Sequence, residues 1–363
     1  MEITTNLIMK KGISVILCCY NSATRLHATL KHIAMQEVPV DIKWEVIIVN
    51  NASHDNTKEV ANMEWNKYNS IIPFKIVDQP IAGLTAARSK GVAVSNFEYL
   101  LFCDDDNWLS ADYIKTSFQT MESHLDVGIL GGQSQGFFES TKPWWFNEFS
   151  AAYAIEKPFE TSRYLPLERE YLAGAGMVIR RGVFEMMEQV NFLPILTDRN
   201  GGNLMSGGDY ELCMITRFLG FELYYEEKLN FVHFMPKGRL HWDYFIEMKT
   251  IGQAIPEIYF DIYRKIYYSS KNQESTFTNW YRCILLESII SFFFPNGINK
   301  KHVFNSLLNF KYLIWSYPGM KNEYKIRAAK NKMIFLLKNR KIISKQHHEI
   351  KNLIIRIVNL KSQ

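Results

Sequence analysis

The sequence has few cysteines and none of the spacings that cysteine-based sites use. Its five cysteines are odd in number, and no Cys-x-x-Cys pair indicates zinc. Cys18, Cys19 and Cys103 lie in apolar, strand-like runs. This placement predicts buried, reduced thiols of a cytosolic protein and argues against the disulfide framework of a small secreted domain.

Long apolar runs are also missing. The longest beyond the N-terminus, CILLESIISFFFP at 283–295, contains Glu287 and has about half of the roughly 20 residues that a spanning helix needs. The N-terminal apolar run is short and follows the lysines, unlike a secretory signal peptide. We therefore expect a cytoplasmic protein without a transmembrane helix, and its 47% hydrophobic and 22% charged residues are typical of a globular chain.

The charge is distributed unevenly. From residue 261 onward there are 19 basic and 5 acidic residues, a net charge of +14, whereas the preceding part carries 23 basic and 32 acidic residues, a net charge of −9. A basic tail on an acidic body favours an anionic partner, with a lipid surface preferred here over nucleic acid. Residues 330–361 alternate apolar clusters with Lys and Arg, as in helices that lie on anionic membranes. A docked helix with a solvated basic face is the alternative.

The first half of the chain alternates between two kinds of periodicity. Short apolar runs predict strands at 13–18, 44–50, 74–78, 99–103 and 126–132, and helical spacing predicts helices at 22–36, 54–68, 83–95 and 109–125. Such alternation predicts βαβ units and a mostly parallel sheet flanked by helices. Ligands of such sheets bind beyond the carboxyl ends of the strands.

The residues that follow these strands are therefore the first candidates for a site. They are Cys19, Tyr20 and Asn21 after the first strand, Asn50 and Asn51 after the second, and Asp104, Asp105 and Asp106 after the fourth. We expect all of them at one edge of the sheet.

The three adjacent aspartates in FCDDDNWL need a physical reason. Carboxylates this close raise one another's pKa unless a cation lies among them. Hard divalent cations take oxygen ligands, and a cation with open positions can bind a substrate's phosphates. The alternative is a polar loop in which Asp106 or Ser110 caps the next helix.

After about residue 132 the alternation loosens. Residues 136–160 are aromatic and irregular, 171–181 form a glycine-interrupted strand that leads into a helix, and 201–221 form a glycine-rich loop followed by an amphipathic helix. Beyond about residue 240 the chain is helical, aromatic and basic.

Four stretches between about residues 12 and 240 resemble, in order, the inverting glycosyltransferases of family 2, which have the GT-A fold. The stretches are ISVILCCYN, VNNASHDNT, GLTAARSKGVAVSNFEYLLFCDDDNWL and GGDYELCMITRFLGFELYYEEKLNFVHF. The resemblance implies a GT-A catalytic domain at 1–240, with a nucleotide-sugar-binding half at 1–132 and an acceptor-binding half at 133–240. Residues 241–363 would form a helical, basic C-terminal region.

The resemblance also implies roles for the acidic triplet. Asp104 and Asp106 match the family's DxD motif, so Asp106 would ligate Mg²⁺ or Mn²⁺ that bridges the donor diphosphate, and Asp104 would lie near the ribose. Asp105 would lie near the donor or the metal. His233 matches a histidine that can complete the metal site, although a packed core histidine is the alternative.

Four further positions are implied to contact the donor. Asn50 and Asn51 stand where the family usually has an acidic residue that can accept the uracil imide hydrogen, which leaves the nucleotide open. Arg88 matches an arginine that contacts the donor, with a surface ion pair as the alternative. Gly83 permits the turn into the helix at 83–95 and a close approach of the backbone to the donor.

Asp209 in SGGDYEL matches the family's catalytic base, which takes the proton of the acceptor hydroxyl during inversion. The family often has Glu-Asp here, whereas this chain has Gly208-Asp209. Glu211 is a second candidate for the base, and a helix N-cap at Asp209 or Ser206 is the alternative role. The glycines of this stretch suit a loop that orders over bound donor; they are Gly201, Gly202, Gly207 and Gly208.

The resemblance thus implies a metal-dependent transfer of a sugar from a nucleoside-diphosphate sugar to a hydroxyl of a glycan or lipid-linked acceptor, in bacterial surface-polysaccharide synthesis. Such a protein would lie in the cytoplasm or at the inner face of the membrane. A sugar-phosphate nucleotidyltransferase would have a glycine-rich, basic phosphate loop after the first strand, and CCYNSATRL contains none. A non-catalytic nucleotide sensor with a membrane- or nucleic-acid-binding tail is the remaining alternative.

Overall fold

A computed structural model describes residues 10–196, 198, 204–269, 276–293, 295 and 322–362. The chain divides into two compact units. The first unit contains the described residues of Met1–Gln189 together with Leu212–Met235, and the second contains those of Val190–Glu211 and Pro236–Gln363. The proposed assignment of 1–132 and 133–240 to donor and acceptor binding stays a prediction.

The strands of the first unit form one mixed sheet of nine strands. They are β1 (Lys10–Cys19), β2 (Trp44–Asn51), β3 (Phe74–Gln79), β4 (Phe97–Cys103), β5 (Asn107–Leu109), β6 (Val127–Phe138), β7 (Arg163–Tyr164), β8 (Val178–Arg180) and β9 (Glu222–Met235). Their order across the sheet is β3-β2-β1-β4-β8-β6-β9-β5, and β7 pairs with β9.

Seven helices follow in chain order up to residue 219. They are α1 (Leu26–Ala34), α2 (Thr57–Asn66), α3 (Leu84–Val94), α4 (Tyr113–Ser123), α5 (Phe146–Phe149), α6 (Arg181–Gln189) and α7 (Gly208–Leu219). A 3₁₀ turn at Ser150–Tyr153 follows α5. The first turn of α7 belongs to the second unit and the remainder to the first.

The four parallel strands β3, β2, β1 and β4 form the predicted βαβ half of the sheet. β1 and β2 are rich in Ile and Val, and their central residues are buried on both faces. Such two-sided burial is typical of parallel strands that are covered by helices. Leu26, Leu30 and Ile33 of α1 are fully buried in the core that lines one face. The predicted α/β fold with a mostly parallel sheet is confirmed.

The structure differs from the prediction immediately after the aspartate triplet. The predicted helix at 109–125 begins only at Tyr113, because Asn107–Leu109 form the short strand β5. β5 pairs antiparallel with β9, and Ser110 N donates to Asn230 O at 2.9 Å. A three-residue strand carries no periodicity of its own, and its partner lies more than 120 residues further along the chain, so local pattern could not indicate it.

The second unit is helical. Its helices are α8 (Trp242–Glu247), α9 (Pro256–Ser269), α10 (Phe277–Phe293) and α11 (Glu323–Lys361), with a π-helical segment at Met248–Gln253 and a 3₁₀ turn at Lys237–Arg239. Within the part of the chain that the structure describes, no helix is both long and apolar enough to cross a membrane.

Helix α11 is docked through a repeating apolar face. Leu336, Ile343, Ile350 and Ile357 recur at every seventh position and are buried. The hydroxyl of Tyr281 in α10 donates to the carbonyl of Leu336 at 2.8 Å. Asn339 has non-helical dihedral angles (φ −114°, ψ 18°) and bends α11 between the first two of these apolar residues. One face of α11 is therefore packed within the second unit, and membrane contact of its other face stays a prediction.

Close packing of α3 on β1 generates a first prediction. A Cβ atom added at Gly91 would lie 2.4 Å from Cγ2 of Ile16, a fully buried and stiff strand residue. We expect Gly91→Ala to lower the free energy of unfolding by about 1–3 kcal/mol through overpacking. This loss outweighs the gain of up to about 1 kcal/mol in helix propensity. Urea unfolding followed by circular dichroism measures the change.

Gly182→Ala in α6 is the matched control, because a Cβ atom there meets nothing within 4 Å. That variant should be neutral or slightly more stable than wild type. Equal effects of the two substitutions would contradict the packing of α3 on β1.

Candidate functional site

The carboxyl ends of four parallel strands define one edge of the first unit. Cys19 pairs with Asn50 in register, Asn50 pairs with Asp78, and Leu17 pairs with Cys103. The residues that follow β1, β2 and β4 therefore lie next to one another, as the sequence predicts. This edge is called the carboxyl rim below.

Asn50 and Asn51 are both engaged at the carboxyl rim. The amide nitrogen of Asn50 donates to Oδ1 of Asp78 at 3.0 Å. The amide nitrogen of Asn51 donates to the carbonyls of Gln79 at 3.1 Å and Ile81 at 2.6 Å, while its Oδ1 accepts from Gly83 N at 2.9 Å. An aspartate could accept but not donate, so the amide is needed for this loop to close.

The turn after β1 places its residues in different environments. The side chain of Cys19 is fully buried, so any contact of this residue with a donor would use its backbone. Asn21 adopts a left-handed conformation (φ 49°), which asparagine tolerates well. Its Oδ1 accepts from His54 N at 2.8 Å, and its own N–H donates to Ser53 Oγ at 3.1 Å. Tyr20 remains 43% exposed at the carboxyl rim.

The middle aspartate of the triplet is directed towards α1. Oδ2 of Asp105 lies 2.6 Å from the guanidinium of Arg25 and also accepts from the hydroxyl of Ser22. Thr29 Oγ1 donates to the Asp105 carbonyl at 2.8 Å. Burial raises the pKa of Asp105, the charge of Asp106 raises it further, and Arg25 opposes both. Its predicted contact with the donor stays a prediction; the structure shows that it anchors the triplet to α1.

Asp106 approaches a histidine instead. Its Oδ1 lies 3.5 Å from Nε2 of His233, and both residues are buried. Two neighbouring ligands that share an octahedral Mg²⁺ at about 2.0–2.1 Å lie about 3 Å apart, so the pair fits a cation shared between them. Among the described residues no group of three or more His, Cys, Asp or Glu is placed to hold a metal. A cation here would therefore depend on substrate oxygens as well.

Three donor candidates of the first unit remain. Asp104 is half-buried and thus the most accessible of the three aspartates. Arg88 in α3 places its guanidinium carbon 5.7 Å from the ring centroid of Phe102. Gly83 precedes α3 with φ 126°, a conformation that favours glycine. Their contacts with a donor stay predictions.

Asp209 lies in the first turn of α7, within the second unit. The amides that open this helix are capped by Asp198, whose Oδ1 accepts from Gly207 N at 3.1 Å and Gly208 N at 2.9 Å. Ser206 Oγ donates to the Gly252 carbonyl instead. Asp198 thus satisfies the amides of Gly207 and Gly208, and a capping role of Asp209 or Ser206 stays an alternative.

Glu211, the second candidate for the base, is engaged in structural hydrogen bonds. It is 1% exposed and accepts from Ile195 N, Leu196 N and the hydroxyl of Tyr263, with distances between 2.5 and 3.1 Å. Burial raises its pKa to about 7 despite these hydrogen bonds. A carboxyl with all its acceptors engaged is poorly suited to take a proton from an acceptor, so Asp209 remains the candidate. The predicted loop glycines Gly201 and Gly202 lie outside the described residues.

Three functional neighbours were missed from the sequence: Arg25, Asp198 and Asn107. Arg25 directly precedes the ordinary amphipathic helix α1 and gives no local signal. Asp198 precedes the helix that it caps by ten residues, beyond the usual cap position. Only Asn107 could have been identified from the sequence, because it directly follows the three aspartates in DDDN.

The fold and the acidic carboxyl rim define an α/β protein of the GT-A class. The mannosyltransferase PcManGT of Pyrobaculum calidifontis, solved with GDP-mannose and Mn²⁺, aligns with 14% identity and a TM-score of 0.51, covering 91% of this chain and 88% of that one. At this identity the likeness shows the fold alone.

Sequence comparison gives the family. Residues 14–187, somewhat less than half of the chain, match the model of glycosyl transferase family 2. The putative glycosyltransferase EpsH of Bacillus subtilis is 29% identical over 130 residues, 36% of this chain and 36% of that protein. The poly-beta-1,6-N-acetyl-D-glucosamine synthase of Staphylococcus epidermidis is 33% identical over 123 residues, 34% of this chain and 28% of that protein. The matches thus span about a third of each relative.

The buried carboxyl of Glu211 generates a prediction on pH. Its folded-state pKa is raised from 4.5 to about 7, so the folded protein favours the protonated form. The stability that this group contributes is complete below pH 4.5 and is lost as the pH rises through about 7. At 1.36 kcal/mol per pK unit, the loss amounts to at most about 3 kcal/mol.

Glu211→Gln removes this titration. Between pH 4.5 and 7.5 the free energy of unfolding of wild type should fall relative to that of the variant, whatever their difference at pH 4.5. Denaturant unfolding at a series of pH values measures the two slopes. Parallel slopes would show that Glu211 titrates normally.

Proposed function

We propose that the protein is a metal-dependent inverting glycosyltransferase that uses a nucleoside-diphosphate sugar as donor. The proposal depends chiefly on one observation: an oxygen of Asp106 and a ring nitrogen of His233 lie 3.5 Å apart beside the carboxyl ends of the parallel strands. This is the edge at which sheets of this kind bind nucleotides. The family match over 14–187 supports the same chemistry.

The proposed roles follow from position and charge. Asp106 and His233 would hold Mg²⁺ or Mn²⁺, which neutralises charge on the departing nucleoside diphosphate when it is bound. Asp104, the accessible carboxylate, would contact the ribose. Asn50 and Asn51 would border the base, and Arg88 would approach the donor from α3. Because Asn51 is occupied by the loop, Asn50 is the better candidate for reading the base.

Asp209 would act as the general base. Inversion requires one carboxylate to take the proton of the acceptor hydroxyl as its oxygen attacks the anomeric carbon. The hydrogen bonds of Asp198 and Glu211 support this role, because they fix the first turn of α7, in which Asp209 lies. A fixed backbone reduces the entropy lost when base and acceptor align.

The acceptor is proposed to be a glycan or a lipid-linked sugar in the synthesis of a cell-surface polysaccharide. The relatives named above support this class: one is a synthase of poly-N-acetylglucosamine. Because they match over only about a third of their length, their names guide the choice of substrates to test. UDP-N-acetylglucosamine and GDP-mannose are the first donors for such a panel.

We predict that Asp209→Asn lowers transfer or donor hydrolysis by about 10²–10⁴-fold, the usual contribution of a general base. Donor binding should survive, because the substitution leaves the carboxyl rim unchanged. Turnover is measured by release of nucleoside diphosphate across the donor panel, and donor binding by thermal stabilisation in the presence of Mn²⁺.

Asp243→Asn is the matched control, since Asp243 is also a first-turn helix aspartate and is exposed. Its turnover should equal that of wild type. Full activity of Asp209→Asn would remove Asp209 as the base. If wild type binds none of the donors with Mn²⁺ present, the proposed enzyme function fails and a role for the chain as a binding protein gains support.

We further propose that α11 contacts an anionic membrane at the cytoplasmic face. Its docked face leaves a basic surface exposed, which consists of Lys338, Arg340, Lys341 and Lys345. Lys345 also lies 3.7 Å from Glu349, and Arg340 lies over the ring of Tyr281. Leu337 and Ile342 lie among these cations and are 59% and 55% exposed. Exposed apolar side chains between cations are typical of helices that bind the membrane interface. A lipid-linked acceptor would be reached most readily from that position.

Replacing Lys338, Lys341 and Lys345 with Gln should weaken binding to vesicles that contain anionic lipid. Each lysine contributes about 1 kcal/mol near such a surface, so the triple variant should bind roughly 10²-fold more weakly. Co-sedimentation with vesicles of phosphatidylglycerol and phosphatidylcholine measures the change.

The control carries the same change in charge on the first unit: Lys10, Lys31 and Lys43, all exposed, are replaced with Gln. It should bind vesicles as wild type does. Equal weakening by both variants would show that net charge, and not α11, attracts the membrane. No binding by wild type would end the proposal.

A further inference from the structure

Asn107 is a buried amide without a visible purpose. It is fully buried, and among the described residues neither its Oδ1 nor its Nδ2 has a hydrogen-bond partner. Buried polar groups in native proteins are almost always satisfied, because an unpaired one loses its hydration without compensation. An amide retained at such a position therefore needs a role outside the hydrophobic core.

A second unsatisfied atom lies opposite. Nδ1 of His233 also has no hydrogen-bond partner among the described residues. Asn107 and His233 are direct partners in the antiparallel pair of β5 and β9. The adjacent pair is closed by Phe234 N donating to Asp106 O at 2.9 Å, which makes Asn107 and His233 a non-hydrogen-bonded pair. In such pairs the Cβ atoms lie about 4.5–5.5 Å apart on the same face.

The histidine has a specific requirement if it binds a cation. Only neutral imidazole ligates, and the nitrogen that does not face the metal must carry the proton. Nε2 of His233 faces Asp106 at 3.5 Å, so Nδ1 is the nitrogen that must donate. Metal-binding histidines nearly always give this hydrogen to a neighbouring acceptor, which fixes the tautomer and the ring orientation.

We propose that Asn107 is this acceptor: its Oδ1 receives the Nδ1–H of His233 and holds Nε2 towards the cation shared with Asp106. The inference rests on the proposed metal site. Rotation of the Asn107 amide would pair its Oδ1 with Nδ1 of His233, and one unsatisfied atom on each residue would gain a hydrogen bond. Asn107 is thus a positioning residue, since it acts on the cation only through His233.

Asn107→Leu tests the proposal, because leucine has the same branching at Cγ and no polar atoms. We expect the affinity for Mn²⁺ to fall by about 10–100-fold, as is typical when the partner of a metal-binding histidine is removed. In the described structure this hydrogen bond is not formed, so stability without metal should rise as the two unpaired buried atoms of the amide disappear. Electron paramagnetic resonance titration with Mn²⁺, alone and with UDP, measures affinity, and thermal unfolding measures stability.

The opposite signs of these two changes separate positioning from a merely structural role. Ser117→Ala is the matched control, since Ser117 in α4 also has a buried hydroxyl without a partner among the described residues. It should leave Mn²⁺ affinity unchanged. If Asn107→Leu does not fold, Asn107→Ala replaces it, because that side chain cannot overpack the site.

A double-mutant cycle with His233→Ala tests whether Asn107 acts on the cation through His233. Asn107→Leu should weaken Mn²⁺ binding in the wild-type background and have no further effect when His233 is absent. Unchanged Mn²⁺ affinity of Asn107→Leu, or the same loss with and without His233, overturns the proposal while the metal site stands. If wild type does not bind Mn²⁺, both the metal site and the role of Asn107 are overturned. The comparison of wild type with Asp209→Asn then tests sugar transfer independently of the metal.

Discussion

The repulsion among three successive carboxylates is the constraint around which the candidate site is arranged. The protein relieves it by sending the side chains in different directions. Asp105 turns inward to Arg25 at the start of α1, Asp106 turns to His233 in β9, and Asp104 stays half-buried at the carboxyl rim. A buried ion pair of this kind contributes little net stability but fixes geometry when its remaining hydrogen bonds are made.

Much of the first unit could be predicted from sequence because its elements are encoded locally. Each parallel strand is a short, largely apolar run, each helix is a segment with helical spacing, and their alternation predicts the sheet. The strands that escaped prediction depend on distant partners. β5 has three residues and exists because β9 pairs with it, and β6 extends beyond its predicted end at 132 along the same partner. Local pattern contains no information on such pairing.

The site was predictable in position more than in contacts. A rule of sheet topology places the residues after each strand at one edge, and no contact needs to be known for that. The hydrogen-bond partners of those residues could not be predicted in the same way. The sequence alone could not tell that Asn51 closes the loop before α3, or that Asp198 caps the helix of Asp209. These bonds join segments whose approach depends on the complete fold.

The seven-residue spacing of buried side chains in α11 has a consequence for how the chain can change. One added residue would turn every later side chain by about 100°, and would bring lysines against α10 in place of isoleucines. Seven added residues would keep the same face inward. Natural variation in the length of this helix should therefore occur in whole heptads, with shorter insertions confined to the bend at Asn339, where the helical hydrogen-bond pattern is already interrupted.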